Sequence, residues 1–175
     1  MRPGLSLRKW KFEDLESLLF YANNPKIAQN MTDGFPHPYL ADDGIAFLNR
    51  VTSDDPQKVF AIDWNGEAIG STGIFPLSDI FRCNAELGYW LGEPFWGQGI
   101  LAECLPGIIT YGFDTWAEVH RIFARPFGRN QQSVRVLEKA GFVLEARIPE
   151  GFLKNGKLEE ELIYTVRRKT WKAEG

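Results

Sequence analysis

ELGYWLGEPFWGQGILAE, residues 86–103, decides the fold. It begins as an apolar run with strand character, turns through two glycines that flank a glutamine, and continues as a helix. The turn Gly97-Gln98-Gly99-Ile100-Leu101-Ala102 therefore sits at a helix start, where several backbone N–H groups have no intrahelical partner and attract phosphate. Glycine at 97 and 99 removes the Cβ that would hold a ligand away from the backbone. A strand, a glycine turn and a helix in succession open a strand–helix–strand unit.

Downstream, the helix spans about Ile100–Trp116. Pro106 is expected to kink it, because a proline removes one hydrogen bond and clashes with the carbonyl four residues back. A strand at about Arg121–Phe127 follows, then a short helix, Gln131–Ala140, with Asn130 as N-cap and Gly141 as its end. Upstream, VFAIDWNGEAIGSTGIF (59–75) reads as a hairpin turning at Asn65-Gly66, the pair favoured in type I′ turns. A short strand near Gly4–Arg8 leads into FEDLESLLFYA (12–22), where Leu15, Leu18, Leu19 and Ala22 repeat at helical spacing; Asn24-Pro25 ends that helix. TDGFPHPY (32–39) is irregular, and a helix at roughly Asp42–Val51 follows it. The chain closes with two strands on either side of Asn155-Gly156. The expected class is α/β of the α+β type: one domain with a mixed sheet.

At 175 residues the chain fits a single core. With 44% hydrophobic and 25% charged residues the composition is that of a globular domain, and a net charge of −3 gives no basic field for nucleic acid. No apolar run reaches ~18 residues and the N-terminus lacks a signal-peptide core, so a cytoplasmic protein without a membrane span is expected. Cys83 and Cys104 form no metal-binding pair and stand apart from His37 and His120; two reduced, buried thiols and no metal are expected. The 14% aromatic content suits a dense core or an aromatic-lined cleft.

Three phosphate ligands compete for residues 97–102. A nucleotide-triphosphate loop requires G-x-x-x-x-G-K-S/T, and no lysine or hydroxyl follows either glycine. A dinucleotide fingerprint accepts G-x-G-x-x-A, and Glu118 lies at about the right distance. That acid should follow the second strand, however, whereas Glu118 precedes it, and too few residues remain for the second half of such a sheet. Coenzyme A needs only donors for its diphosphate and fits best. A glycine-rich lead into a helix with no ligand is the remaining alternative.

ELGYWLGEPFWGQGILAE together with RIFARPFGRNQQSVRVLEKAGF (121–142) resembles the GNAT acetyltransferase superfamily, and most closely its branch that acetylates N-terminal amines of ribosomal proteins. That branch carries a strand E-x-G-Y-W, a turn W/R-G-x-G-x-x-x-E, and later N-x-x-S-x-x-V-L-E-K-x-G-F. All three occur here in order. SLRKWKFEDLESLLFYANNP (6–25) and DGFPHPY (33–39) extend the likeness over about residues 5–168.

The resemblance implies a GNAT fold with helices on both faces, its sheet splayed between two parallel strands, Glu86–Gly92 and Arg121–Phe127, with acetyl-CoA in the V between them. Backbone groups near Trp90, Leu91 and Gly92 would hold the pantetheine arm, with the Leu91 amide polarising the thioester carbonyl. The amides of Gly97, Gln98, Gly99, Ile100, Leu101 and Ala102 would hold the diphosphate, and Asn130 would bond the pantetheine from the other side. Many relatives have Gln or Arg three residues before the first glycine, where Pro94 stands here. Glu86 is the candidate general base. Much of the superfamily protonates the leaving thiolate with a tyrosine whose matching position here is Leu137, so the role passes to another group, Ser133 or more weakly Tyr164, or to water. Arg129, Arg135 and Lys139 lie where the 3′-phosphate and adenine would be held.

Phe35, His37 and Tyr39 would wall the acceptor pocket. The acceptor implied is a primary amine, foremost a protein N-terminus; polyamines, amino acids and antibiotic-like amines stay open, as does a CoA-binding module without catalysis. A homodimer is compatible with the sequence, and no motif argues for one.

Overall fold

Asn84–Leu91 is the strand around which the rest is arranged. In the computed structural model, which describes residues 1–171, it is the fourth of seven strands: β1 (Leu5–Lys9), β2 (Val59–Trp64), β3 (Glu67–Pro76), β4 (Asn84–Leu91), β5 (Arg121–Ala124), β6 (Val143–Lys154) and β7 (Lys157–Arg167). They form one sheet in the order β1-β2-β3-β4-β5-β7-β6. Only β4 and β5 pair in parallel; every other neighbour is antiparallel. The helices are α1 (Leu15–Ala22), α2 (Pro25–Ala28), α3 (Ala41–Thr52), α4 (Ile100–Thr115) and α5 (Gln131–Lys139).

The hairpins form where Asn-Gly pairs predict them. Asn65 and Gly66 take φ of 54° and 92°, and Asn155 and Gly156 take 50° and 75°, the left-handed pairs that a type I′ turn requires. In β3, Ala68–Ile74 are all buried, so both of its faces are covered. α1 and α4 both pack on this strand. Two apolar clusters result: one joins Leu18, Leu48, Ile62 and Trp90, the other Ile74, Leu105, Ile122 and Leu137.

α4 runs through Pro106 as one continuous helix. Three details depart from the sequence expectations. Asn24 does not merely end α1: its side chain accepts from Lys26 N at 2.8 Å and caps the extra turn α2. β5 stops at Ala124, ahead of Arg125-Pro126, since proline has no N–H for a ladder. Cys104 is buried as expected, and burial pushes its thiol up to about 12, whereas Cys83 is exposed. No helix among the described residues is long and apolar enough to cross a membrane.

Candidate active site

The early end of β5 makes the site. β3 pairs with β4 from Ala85 to Leu91, while β5 pairs with it only at Asn84–Glu86. At the two ends of the β3 ladder, Leu77 N donates to Asn84 O (2.9 Å) and Gly92 N to Ile69 O (2.8 Å). Antiparallel alternation between these points commits the backbone groups of Glu86, Gly88 and Trp90 to β3, and turns those of Tyr89 and Leu91 toward the gap. The Leu91 carbonyl accepts from the Trp96 indole at 2.7 Å, and because β5 pairs no further than Glu86 the Leu91 amide has no strand partner among the described residues. Of the three residues expected to offer backbone groups there, only Leu91 does so. Trp90 and Gly92 are spent on the sheet, and Tyr89 takes their place.

At the top of the gap the chain turns into α4. Gly97 and Gly99 hold φ of 75° and 79°, a region costly for residues with a Cβ, and Gly99 is the N-cap. A Cβ on Gly97 would meet nothing within 4 Å, so the space above the turn is open. The first helical bond runs from Glu103 N to Gly99 O (3.2 Å), and the amides of Ile100, Leu101 and Ala102 precede it. Gln98 folds its side chain back onto Pro94 O at 2.9 Å and contributes only backbone.

Arg2, which the sequence reading did not single out, props this turn from behind. Its Nη2 donates to Gln98 O at 2.7 Å and its Nε to Glu103 at 2.9 Å, holding the Gln98 carbonyl away from the open side. The bond from Arg2 lowers the Glu103 carboxyl from about 4.5 to about 2. A depressed carboxylate stabilises the fold above its ordinary value, and that contribution is lost as pH falls from about 4.5 to 2. Glu103→Gln should therefore lower Tm relative to the native protein near pH 7, with the difference shrinking over that acid window. A constant difference from pH 7 to pH 2 would remove Glu103 from the acid response.

Below the turn lies a cleft of about 1390 Å³. Glu86 lines it, with 37% of its side chain exposed, and pairs with Arg125 Nε at 3.4 Å; Arg125 also reaches Glu161, at 3.2 Å. Asn130 accepts from Ser133 N at 3.2 Å, which is the helix cap, and its amide nitrogen has no protein partner among the described residues. The Ser133 hydroxyl lies 2.6 Å from that of Tyr89. Leu137, where much of the superfamily has its tyrosine, is wholly buried. Tyr164 donates to Glu138 at 3.0 Å and does not line the cleft.

Phe35 and Tyr39 line the other end, stacked at 5.2 Å, and Phe35 meets Trp90 at 6.0 Å. Burial pushes the Tyr39 phenol up to about 12. His37 is exposed and is not brought to the cleft wall. Arg135 and Lys139 line the cleft from α5. Arg129 is already engaged: it donates to Asn30 and to the Gln29 carbonyl, both at 2.6 Å, and pairs with Glu159 at 3.0 Å. With the Lys154–Asp33 pair at 2.7 Å, it ties the segment after α1 to the β6–β7 hairpin.

Open amides at a helix start, an unpaired strand edge and a carboxylate beside it suit a diphosphate-bearing carrier and a nucleophile that loses a proton. Comparison with known proteins gives the family. Residues 5–143 match the model of the acetyltransferase (GNAT) domain. An uncharacterized N-acetyltransferase of Bacillus licheniformis is 28% identical over 170 residues, 95% of this chain and 94% of that one. A spermidine N(1)-acetyltransferase of Vibrio cholerae is 26% identical over 162 residues, 91% of each. The solved structure of a ribosomal L7/L12 alpha-N-protein acetyltransferase in complex with coenzyme A shares the fold, with a TM-score of 0.81, 20% identity and 95% of each chain covered.

Proposed function

The chain belongs to the GNAT acetyltransferase family and is an acetyl-CoA-dependent N-acetyltransferase; from that premise we propose that its acceptor is the α-amine of a protein N-terminus. The observation that carries the acceptor reading is the charge of the cleft. Six cationic side chains line it against two carboxylates, Asp43 and Glu86. Asp43 is occupied by Leu40 N at 2.8 Å and Glu86 by Arg125. A polyamine needs several unmatched carboxylates; a peptide N-terminus needs one, plus partners for its amides.

Acid–base chemistry favours the same acceptor. An α-amine titrates near 7.7–8.0, so roughly a tenth is already neutral at pH 7, against about one in 2,500 for an alkyl ammonium near 10.4. A half-exposed carboxylate such as Glu86 then suffices, since it has only to take one proton, directly or through water, as the amine attacks.

We assign the remaining roles by fit. The amides from Gly97 to Ala102 hold the diphosphate, with the two glycines giving the approach. The free edge at Tyr89 and Leu91 holds the pantetheine arm as an added strand, and the Leu91 N–H stabilises the oxyanion that develops on the thioester. Asn130 bonds the arm through its free amide nitrogen, and Ser133 bonds the departing sulfur. Trp90 lines the wall, whereas Gly92 is packed beside it against the Tyr21 ring, which a Cβ would meet at 2.7 Å. Phe35 and Tyr39 wall the acceptor end.

The test is thiol release from acetyl-CoA with a panel of amines. N-terminal peptides should give a kcat/KM at least about tenfold above spermidine, free amino acids and aminoglycosides. Faster turnover of spermidine would overturn the acceptor assignment. Coenzyme A binding without thiol release from any amine would leave a binding module in place of an enzyme.

A further inference from the structure

The hydroxyl pair Tyr89–Ser133 joins the middle of β4 to the first turn of α5, across the gap where the two parallel strands separate. At 2.6 Å it is a strong bond between two neutral hydroxyls, and its geometry leaves either oxygen free to be the donor. The surroundings decide the direction. Burial pushes the Tyr89 phenol well above its ordinary value, so it stays protonated and its hydrogen needs an acceptor. Two lie within reach, Ser133 Oγ at 2.6 Å and the Ser133 carbonyl at 3.4 Å, and the first is much the better placed. The helix cap does not use the serine hydroxyl, because Asn130 takes the Ser133 amide instead. Among the described residues that hydroxyl has no second protein partner.

We propose that Tyr89 is a positioning residue: by donating to Ser133 Oγ it turns the serine's own proton into the cleft, where it bonds the sulfur of coenzyme A. The proposal rests on the acetyl-transfer reading of this site and adds a residue to it. Tyr89 does not itself supply a proton, since a phenol held above its ordinary value is a poor acid beside a thiolate. What the pair supplies is one hydrogen bond aimed at the charge that forms on sulfur as the C–S bond breaks.

The experiment needs no acceptor. Affinities for coenzyme A and for desulfo-coenzyme A, which lacks the sulfur, are measured by calorimetry at about pH 10, because the alkyl thiol of coenzyme A is less acidic than a cysteine's, about 8.5, and must be ionised. The native protein should prefer coenzyme A by about tenfold, the size of one hydrogen bond to a charged group. Tyr89→Phe and Ser133→Ala should each bring that ratio close to one, leave desulfo-coenzyme A affinity unchanged, and show no further effect when combined. A Tyr89→Phe protein that keeps the native ratio, or one that loses both ligands equally, overturns the positioning role. If the native protein binds neither ligand, the acetyl-transfer reading fails and this inference falls with it.

Discussion

Gly99→Val should lower affinity for coenzyme A by about a hundredfold, roughly 2.7 kcal/mol. A Cβ there would come within 3.7 Å of Arg2 Nη2, so a valine pushes on the brace behind the turn and disturbs the amides beside it, and two charge-assisted bonds at ~1.5 kcal/mol each account for the loss. The structure adds a cost that the sequence did not reveal. Gly99 sits at φ 79°, where a side chain costs about 1–2 kcal/mol, so Tm should also fall by a few degrees. Gly156→Val separates the two effects, because that residue has φ 75° and open surroundings in the far hairpin, away from the cleft. It should show the thermal penalty with native affinity. Native affinity in Gly99→Val itself would remove the phosphate assignment.

Glu86→Gln should reduce kcat by about a hundredfold and leave the KM for acetyl-CoA within twofold, the signature of lost proton transfer without lost binding. Folding should survive, because Arg125 keeps Glu161 at 3.2 Å and an exposed ion pair contributes ~0–1 kcal/mol. A kcat within twofold of native would dismiss Glu86 and turn attention to Glu161, which the same guanidinium holds.

The strand, the glycine turn and the helix start were legible because their logic is local. Glycines at 97 and 99, the start of the helix that follows and the E-x-G-Y-W strand lie within eighteen residues, and backbone propensities act over that range. Hairpins at Asn65-Gly66 and Asn155-Gly156 were legible for the same reason. Long-range pairings were not. Arg2 on Gln98 and Glu103, Tyr89 on Ser133, and Arg129 on Asn30 join residues 44 to 101 positions apart, and no local signal marks them. The strand edge shows an intermediate case. Alternation along β4 was readable, yet which alternate set faces the gap depends on the register with β3, which commits the backbone groups of Trp90 and Gly92 to the sheet and turns those of Tyr89 to the gap.

The two ends of the cleft are made of different material. The donor end relies on main-chain amides, which every substitution short of a turn-breaking one leaves in place. The other end is walled by side chains such as Met31, Phe35 and Tyr39 from the segment after α1, which Arg129, through Asn30 and Glu159, and the Lys154–Asp33 pair tie to the β6–β7 hairpin. On the proposed assignment, mutational drift in that segment would retune amine choice while thioester handling stays constant.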